Sequence, residues 1–232
     1  MNVDRRRGLS RVFMTKDYVE FHARSAFSFL EGASLPEALV QQAANLGLPA
    51  LGILDRDGLY GAPRLYTTAK KLGLRSHVGA EVSVADLGLH ARPAEWQPHT
   101  IPQRPIRLSL LCESQKGYRN LSQLITGYKL RQKTKGEGVA TLREIKERCE
   151  GLVCFTGGDE GPLAAALERG GMDEGRCLLR TLVQTFGPTN VYVECNGTAS
   201  ANRKPATRPL SPSRMSFISL SLPRTASTWP RL

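Results

Sequence analysis

Two patterns of hydrophobic and polar positions follow each other repeatedly along residues 17–194. Short apolar runs typical of strands are YVEFHA, PALGILD, LRSHVGAEVSVAD, IRLSLLCES, GLVCFTGG and NVYVE. Amphipathic stretches typical of helices lie between most of them, such as EALVQQAANLG and LYGAPRLYTTAKKLG. Strands separated by helices of about 10–15 residues indicate βαβ units and a parallel sheet, and they therefore predict an α/β fold.

Residue types that favour helix ends support these boundaries. Ser34 is the predicted N-cap of the first helix, and Gly47 and Gly73 are expected to end the first and second helices. Thr141 is followed three residues later by Glu144, which is the spacing of a capping box. We therefore expect another helix to begin directly after Thr141.

The charge of +11 is concentrated at the two ends of the chain. Residues 1–16 carry a net charge of +4, residues 17–194 only +1, and residues 195–232 carry +6 without a single carboxylate. We divide the chain accordingly into a basic N-terminal extension (1–16), a folded domain (17–194) and a tail rich in Ser, Pro and Arg (195–232). The tail is expected to be disordered or translated out of frame.

Cysteine usage and hydropathy predict a cytoplasmic location. The five cysteines are scattered and form no C-x-x-C pair, as is typical of reduced thiols. No apolar run approaches the roughly 18 residues that span a bilayer. The N-terminus lacks the apolar segment of a secretory signal. We expect no membrane contact.

Polar residues gather where the predicted strands end. His22 follows the first strand with Glu31 in its loop, and Asp55, Arg56 and Asp57 follow the second. Functional residues of a β/α array cluster at such ends. Histidine nitrogens and carboxylate oxygens from several loops can hold metal ions. The residues alone leave two interpretations open, since a single histidine at a strand end is more often structural than a metal ligand.

Five segments together resemble a known family: YVEFHARSAFSFLEGAS, LDRDGLYGAPRLY, GAEVSV, LLCESQKGYRNLSQLI and TGGDEGPLA. In this order, over about residues 15–194, they are similar to the N-terminal PHP (polymerase and histidinol phosphatase) domain of bacterial C-family DNA polymerases. The resemblance is to the error-prone branch, which is similar to the polymerase III alpha subunit. It implies a distorted (β/α)7 TIM-like barrel of the PHP type, here incomplete and followed by a disordered C-terminal tail.

The same resemblance implies a metal site at the strand ends of active family members, with an H-x-H motif, a D-H motif and a G-A-E motif. The candidate ligands that match are His22, Glu31 and Glu81. The ligand positions that carry arginine instead are Arg24, Arg56 and Arg107. A last motif, D-x-H, would fall beyond residue 194 and is absent. No catalytic or cofactor-binding residue is therefore expected in this chain.

Arginine stays protonated and has no lone pair to give to a metal. We therefore expect arginine–carboxylate pairs in place of a metal cluster, and no bound zinc or manganese, which an active site of this type would hold. A rival use of the arginines is to bind phosphates of the DNA backbone.

Three functions compete at this point. The first is a truncated, non-catalytic PHP module of an error-prone DNA polymerase, with the rest of that polymerase and repair or replication proteins as partners, and DNA bound through the full-length enzyme. The second is a metal-dependent phosphoesterase or 3'-5' proofreading nuclease. The third is a nucleic-acid-binding module, suggested by the segment KLRQKTKGEG. Its basic residues are Lys129, Arg131, Lys133 and Lys135.

Overall fold

A computed structural model describes residues 18–85, 87, 105–132, 134, 138–158 and 160–194. The described strands are β1 (Glu20–Ala23), β2 (Ala50–Arg56), β3 (Arg75–Val84), β4 (Ile106–Cys112), β5 (Leu152–Phe155) and β6 (Val191–Tyr192). The described helices are α1 (Pro36–Asn45), α2 (Ala62–Lys71), α3 (Gln115–Arg131), α4 (Leu142–Glu147) and α5 (Pro162–Phe186). The predicted extension 1–16 and the predicted tail 195–232 lie outside the described residues.

The six strands form one sheet in chain order, β1-β2-β3-β4-β5-β6. β1, β2 and β3 are parallel, as are β5 and β6. The predicted α/β fold, an incomplete barrel of the PHP type, is confirmed. A wholly parallel sheet is wrong at β4, which runs antiparallel to both β3 and β5. The sequence between β3 and β4 contains prolines and no amphipathic helix pattern, and an antiparallel pair requires no helical crossover.

Helix ends follow the local sequence with one exception. Thr141 and Glu144 form the predicted capping box at α4, because the backbone N–H of each residue donates to the side chain of the other. Gly73 has φ of +68° just after α2, as expected for a glycine that ends a helix. The prediction of Ser34 as N-cap is wrong. Leu35 takes that position, and its apolar side chain has no acceptor to offer; Pro36, at the first helical position, instead has a φ suited to a helix start.

Aromatic side chains fill the inside of the curved sheet. Phe21 of β1 stacks on Phe155 of β5 with ring centroids 6.3 Å apart, and Phe155 lies 6.1 Å from the ring of Tyr192 of β6. β1 and β6 are the two edges of the sheet, so these contacts show that the sheet curls until its edges approach each other.

A larger apolar core packs the outer face of β3, β4 and β5 against α3 and α5. Its largest fully buried side chain is Tyr128 of α3. None of the described helices combines the length and the apolar character that crossing a bilayer would require.

Candidate functional site

One cavity of about 550 Å³ lies at the end of the sheet where β1, β2 and β3 terminate. The predicted site residues that line it are His22, Arg24, Glu31, Glu81 and Arg107. The remaining predicted residue, Arg56, reaches this group from the end of β2 through a hydrogen bond to Glu31. The structure therefore brings all the predicted site residues together.

Glu31, in the loop after β1, is held mainly by Arg107 of β4. The two guanidinium Nη atoms of Arg107 donate to the two carboxylate oxygens of Glu31 at 2.6 and 2.7 Å. Arg56 adds a bond of 3.1 Å to Glu31 Oε1. The hydrogen bonds from Arg107 lower the pKa of Glu31. Such a bidentate pair fixes the geometry of both side chains as well as their charge.

Glu81 of β3 is buried beneath these residues. Its Oε1 faces His22 Nε2 at 2.5 Å and accepts a hydrogen bond from Arg24 Nη2 at 2.7 Å. Arg107 Nη1 lies 3.7 Å from the second oxygen. Burial tends to raise the pKa of Glu81, but His22 and Arg24 outweigh it and the pKa is lowered. Glu81 is therefore an ionised carboxylate surrounded by cations.

His22 lies between two carboxylates. Its Nε2 faces Glu81, and its Nδ1 lies 2.8 and 2.9 Å from the two oxygens of Glu194, just after β6. Burial opposes protonation, but the two carboxylates outweigh it and raise the pKa of His22 to about 9. The protonated ring donates its two N–H groups to Glu81 and Glu194.

Three further acidic residues that line the cavity escaped the sequence analysis, namely Glu20 of β1, Glu160 and Glu194. Glu160, after β5, accepts a 3.0 Å bond from Arg107 and a 3.4 Å bond from Arg24. Glu194 follows β6, and its backbone N–H donates to Thr156 Oγ1 at 3.0 Å. Glu160 stands two residues beyond the predicted strand GLVCFTGG, and Glu194 is the last residue of the predicted strand NVYVE, so the rule that selected His22 could have found them.

Asp55, a strand-end candidate, does not enter the cavity. It is the sixth residue of β2 and accepts hydrogen bonds from the Ser25 backbone N–H (2.8 Å), the Ser25 hydroxyl (2.7 Å) and the Ser28 hydroxyl (2.8 Å). These bonds fasten the loop that carries Glu31. Asp55 therefore affects the site indirectly, because it fixes the position of the loop that carries Glu31.

Asp57 has a similar role on the other side of Arg56. Its carboxylate accepts from the backbone N–H of Ser83 (2.8 Å), the Ser83 hydroxyl (2.7 Å) and the buried Tyr128 hydroxyl (2.7 Å). Its φ is +48°, a left-handed conformation that is uncommon outside glycine. These bonds hold the β2–α2 loop in that conformation.

The sequence itself matches a known family over most of this architecture. Residues 20–198 match the PHP domain family. The chain belongs to the PHP family. It is 38% identical to the error-prone DNA polymerase of Mycobacterium tuberculosis (strain H37Rv) over 188 residues, which are 81% of this chain and 16% of that protein. It is 36% identical to that of Cutibacterium acnes, over 76% of this chain and 15% of that protein.

These matches confirm the recognition of a PHP domain similar to that of error-prone DNA polymerases. The chain spans about 16% of the length of the first curated relatives it matches. Among solved structures it is similar to a Bifidobacterium adolescentis protein whose description as a metal-dependent phosphoesterase is itself an inference. Sequence identity is 14% and the TM-score 0.45, over 75% of this chain and 85% of that one.

The donor groups in the cavity do not fit the metal centre that the family implies. In the part of the chain that the structure describes, no three His, Cys, Asp or Glu side chains are arranged to hold a metal ion. Both oxygens of Glu31 accept from Arg107, and both nitrogens of His22 face carboxylates. The donor atoms of Glu31 and His22 are thus already engaged with protein groups, whereas Glu81 Oε2 is buried without a hydrogen-bond partner, 3.7 Å from Arg107 Nη1.

Proposed function

We propose that this PHP domain is a non-catalytic, structural module of an error-prone DNA polymerase. In this proposal a cluster of ion pairs, the arginine–carboxylate cluster, takes the place of the metal centre. The cluster consists of Arg24, Arg56, Arg107, Glu31, Glu81 and Glu160. The observation that carries the proposal is the bidentate pair of Arg107 with Glu31, beside the pair of Arg24 with Glu81.

Guanidinium groups can replace a metal structurally but not chemically. Each remains positively charged at any pH of interest and presents several donors in a fixed plane. Buried carboxylates that lost these partners would carry a large desolvation cost. A guanidinium cannot bind and ionise a water molecule as a metal ion does, so the cluster supplies cohesion between β1, β3 and β4 without hydrolytic chemistry.

The relatives support a role for this domain as one module of a larger enzyme. In the full-length enzyme the polymerase chemistry, which serves DNA synthesis in repair and translesion replication, resides outside this domain. The domain, with folded limits at 17–194, supports the polymerase region and contacts repair or replication proteins in the cytoplasm. The small share of each relative that this chain matches supports a modular part of this kind.

Metal content tests the proposal. The purified full chain is equilibrated with zinc and manganese, freed of unbound metal and measured by elemental analysis. We expect no stoichiometric metal and no change in unfolding temperature with a chelator. The matched variant combines Arg24→His, Arg56→His and Arg107→His, which supplies imidazole donors at the same positions and is expected to gain bound metal.

Stoichiometric metal in the unsubstituted chain would contradict the proposal. Manganese-dependent hydrolysis of a phosphodiester that disappears in His22→Ala would instead favour the metal-dependent phosphoesterase or the 3'-5' proofreading nuclease.

A further inference from the structure

A row of alternating cations and aromatic rings lies on the rim of the barrel, outside the cavity. We call it the aromatic–cation row, and it consists of Arg64, Phe27, Tyr60 and Lys129. The Arg64 guanidinium lies 5.9 Å from the Phe27 ring, and the Phe27 and Tyr60 rings are 6.4 Å apart. Lys129 Nζ lies 5.3 Å from the Tyr60 ring and donates to its hydroxyl at 3.2 Å. These residues therefore form one continuous surface.

The row offers exposed aromatic area on firmly held loops. Tyr60 is 60% exposed, and Phe29, two residues from Phe27 in the same loop, is 80% exposed. The β1–α1 loop that carries both phenylalanines is fastened by the bonds of its serines to Asp55. The β2–α2 loop that carries Tyr60 starts at Asp57, whose bonds are described above. Loops held in this way lose little backbone freedom when a ligand binds.

An exposed aromatic ring beside a cation is suited to bind single-stranded nucleic acid. An unpaired base can stack on an aromatic side chain, and a neighbouring ammonium can contact the phosphate. Arg64 is already paired with Glu37 at 2.5 Å, which leaves Lys129 as the cation of the row placed for a phosphate. Residues 17–194 carry a net charge of only +1, so the attraction of this surface for a phosphate comes from Lys129 itself.

We propose that the aromatic–cation row binds single-stranded nucleic acid, with a base stacked on Tyr60 and a phosphate at Lys129. This assigns the predicted nucleic-acid function to a specific surface, and it does not depend on whether the cavity binds metal. In the basic segment KLRQKTKGEG, Arg131 already forms an ion pair with Glu144 and donates a hydrogen bond to the Val139 carbonyl. Lys133 and Lys135 lie outside the described residues.

Fluorescence anisotropy with the full chain tests this surface. The probes are a labelled thymidine oligonucleotide and an abasic oligonucleotide of the same length, which has phosphates but no bases. We expect tighter binding to the thymidine strand. Tyr60→Ala should weaken that binding about tenfold, because stacking of a base on an aromatic ring contributes about that much. Tyr60→Phe should retain it, and Lys129→Gln should weaken it and reduce its dependence on salt.

Tyr66 provides the matched control. It is exposed and lies under Lys70 at 5.9 Å, so it forms the same type of pair within α2 and outside the aromatic–cation row. Tyr66→Ala should leave binding unchanged. Equal binding of the thymidine and abasic strands would overturn the proposal, because phosphate contacts elsewhere on the chain would then suffice. Unchanged binding in Tyr60→Ala, or preference for a duplex over the single strand, would overturn it as well.

Discussion

Two groups of carboxylates lie at the same end of the sheet, and the protein stabilises them in different ways. Asp55 and Asp57 accept hydrogen bonds from serine and tyrosine hydroxyls and from backbone N–H groups. Glu31 and Glu81 instead face arginine and histidine side chains. The aspartates fix loops, whereas the glutamates join strands that are far apart in sequence.

The two groups of carboxylates also differ in the length of their partner side chains and in how far these side chains reach. A hydroxyl network depends on short side chains at fixed backbone positions and stays closed to solvent. An ion-pair cluster uses long side chains that reach across the cavity, and other cations could occupy the same space. The glutamates are therefore the group whose stabilisation depends on long side chains from other strands.

The largest effect is expected at Asp55, whose side chain is buried among hydroxyl donors. Asp55→Ala should lower the free energy of unfolding by about 4 kcal/mol, because a charged acceptor is lost and buried donors of Ser25 and Ser28 stay unpaired. Urea denaturation measures this. The same change at Asp173, whose side chain is 94% exposed, serves as the control and should cost about 0.5 kcal/mol or less. Similar losses of unfolding free energy at both positions would mean that the hydroxyl network around Asp55 stabilises the fold no more than an exposed carboxylate does.

The next effect separates two arginines that bind the same glutamate. Arg107→Met should cost about 3 kcal/mol, because its side chain is 8% exposed and its loss leaves Glu31 and Glu81 short of a cation. Arg56→Met should cost about 0.5 kcal/mol, since that side chain is 38% exposed and makes a single bond to Glu31. Denaturant midpoints of the two variants give the comparison, and equal costs would contradict the central position of Arg107.

The smallest effect concerns pH. The pKa of His22 in the folded protein, about 9, lies above its ordinary value of 6.5, so protonation of His22 stabilises the fold. This stabilisation is complete below pH 6.5 and is lost as the pH rises through 9. We expect a loss of about 2 kcal/mol between pH 7 and 9.5, measured by denaturation at each pH. His22→Gln should show a flatter profile, and a profile equally steep in this variant would assign the effect to other groups.

Local signals in the sequence were sufficient for most of the elements and for part of the site. The capping box at Thr141 and the glycine after α2 concern residues close in sequence, and both are present. The reversed direction of β4 was missed: the lack of a helix pattern before it permits an antiparallel pair, but the direction itself is fixed by the pairing of Val84 with Ile106. Motif resemblance selected the arginine positions but gave no account of Glu160 and Glu194. Their partners lie more than fifty residues away.

The contact of His22 with Glu194 also has a consequence for how the chain is made. The two residues are separated by 172 positions, and they belong to the two edges of the sheet. At roughly 5–20 residues per second, a ribosome adds Glu194 roughly 10–30 s after His22. During that interval β1 can form its ladder with β2, but its histidine lacks one of its two carboxylates. His22 therefore acquires its second carboxylate only when synthesis has passed β6.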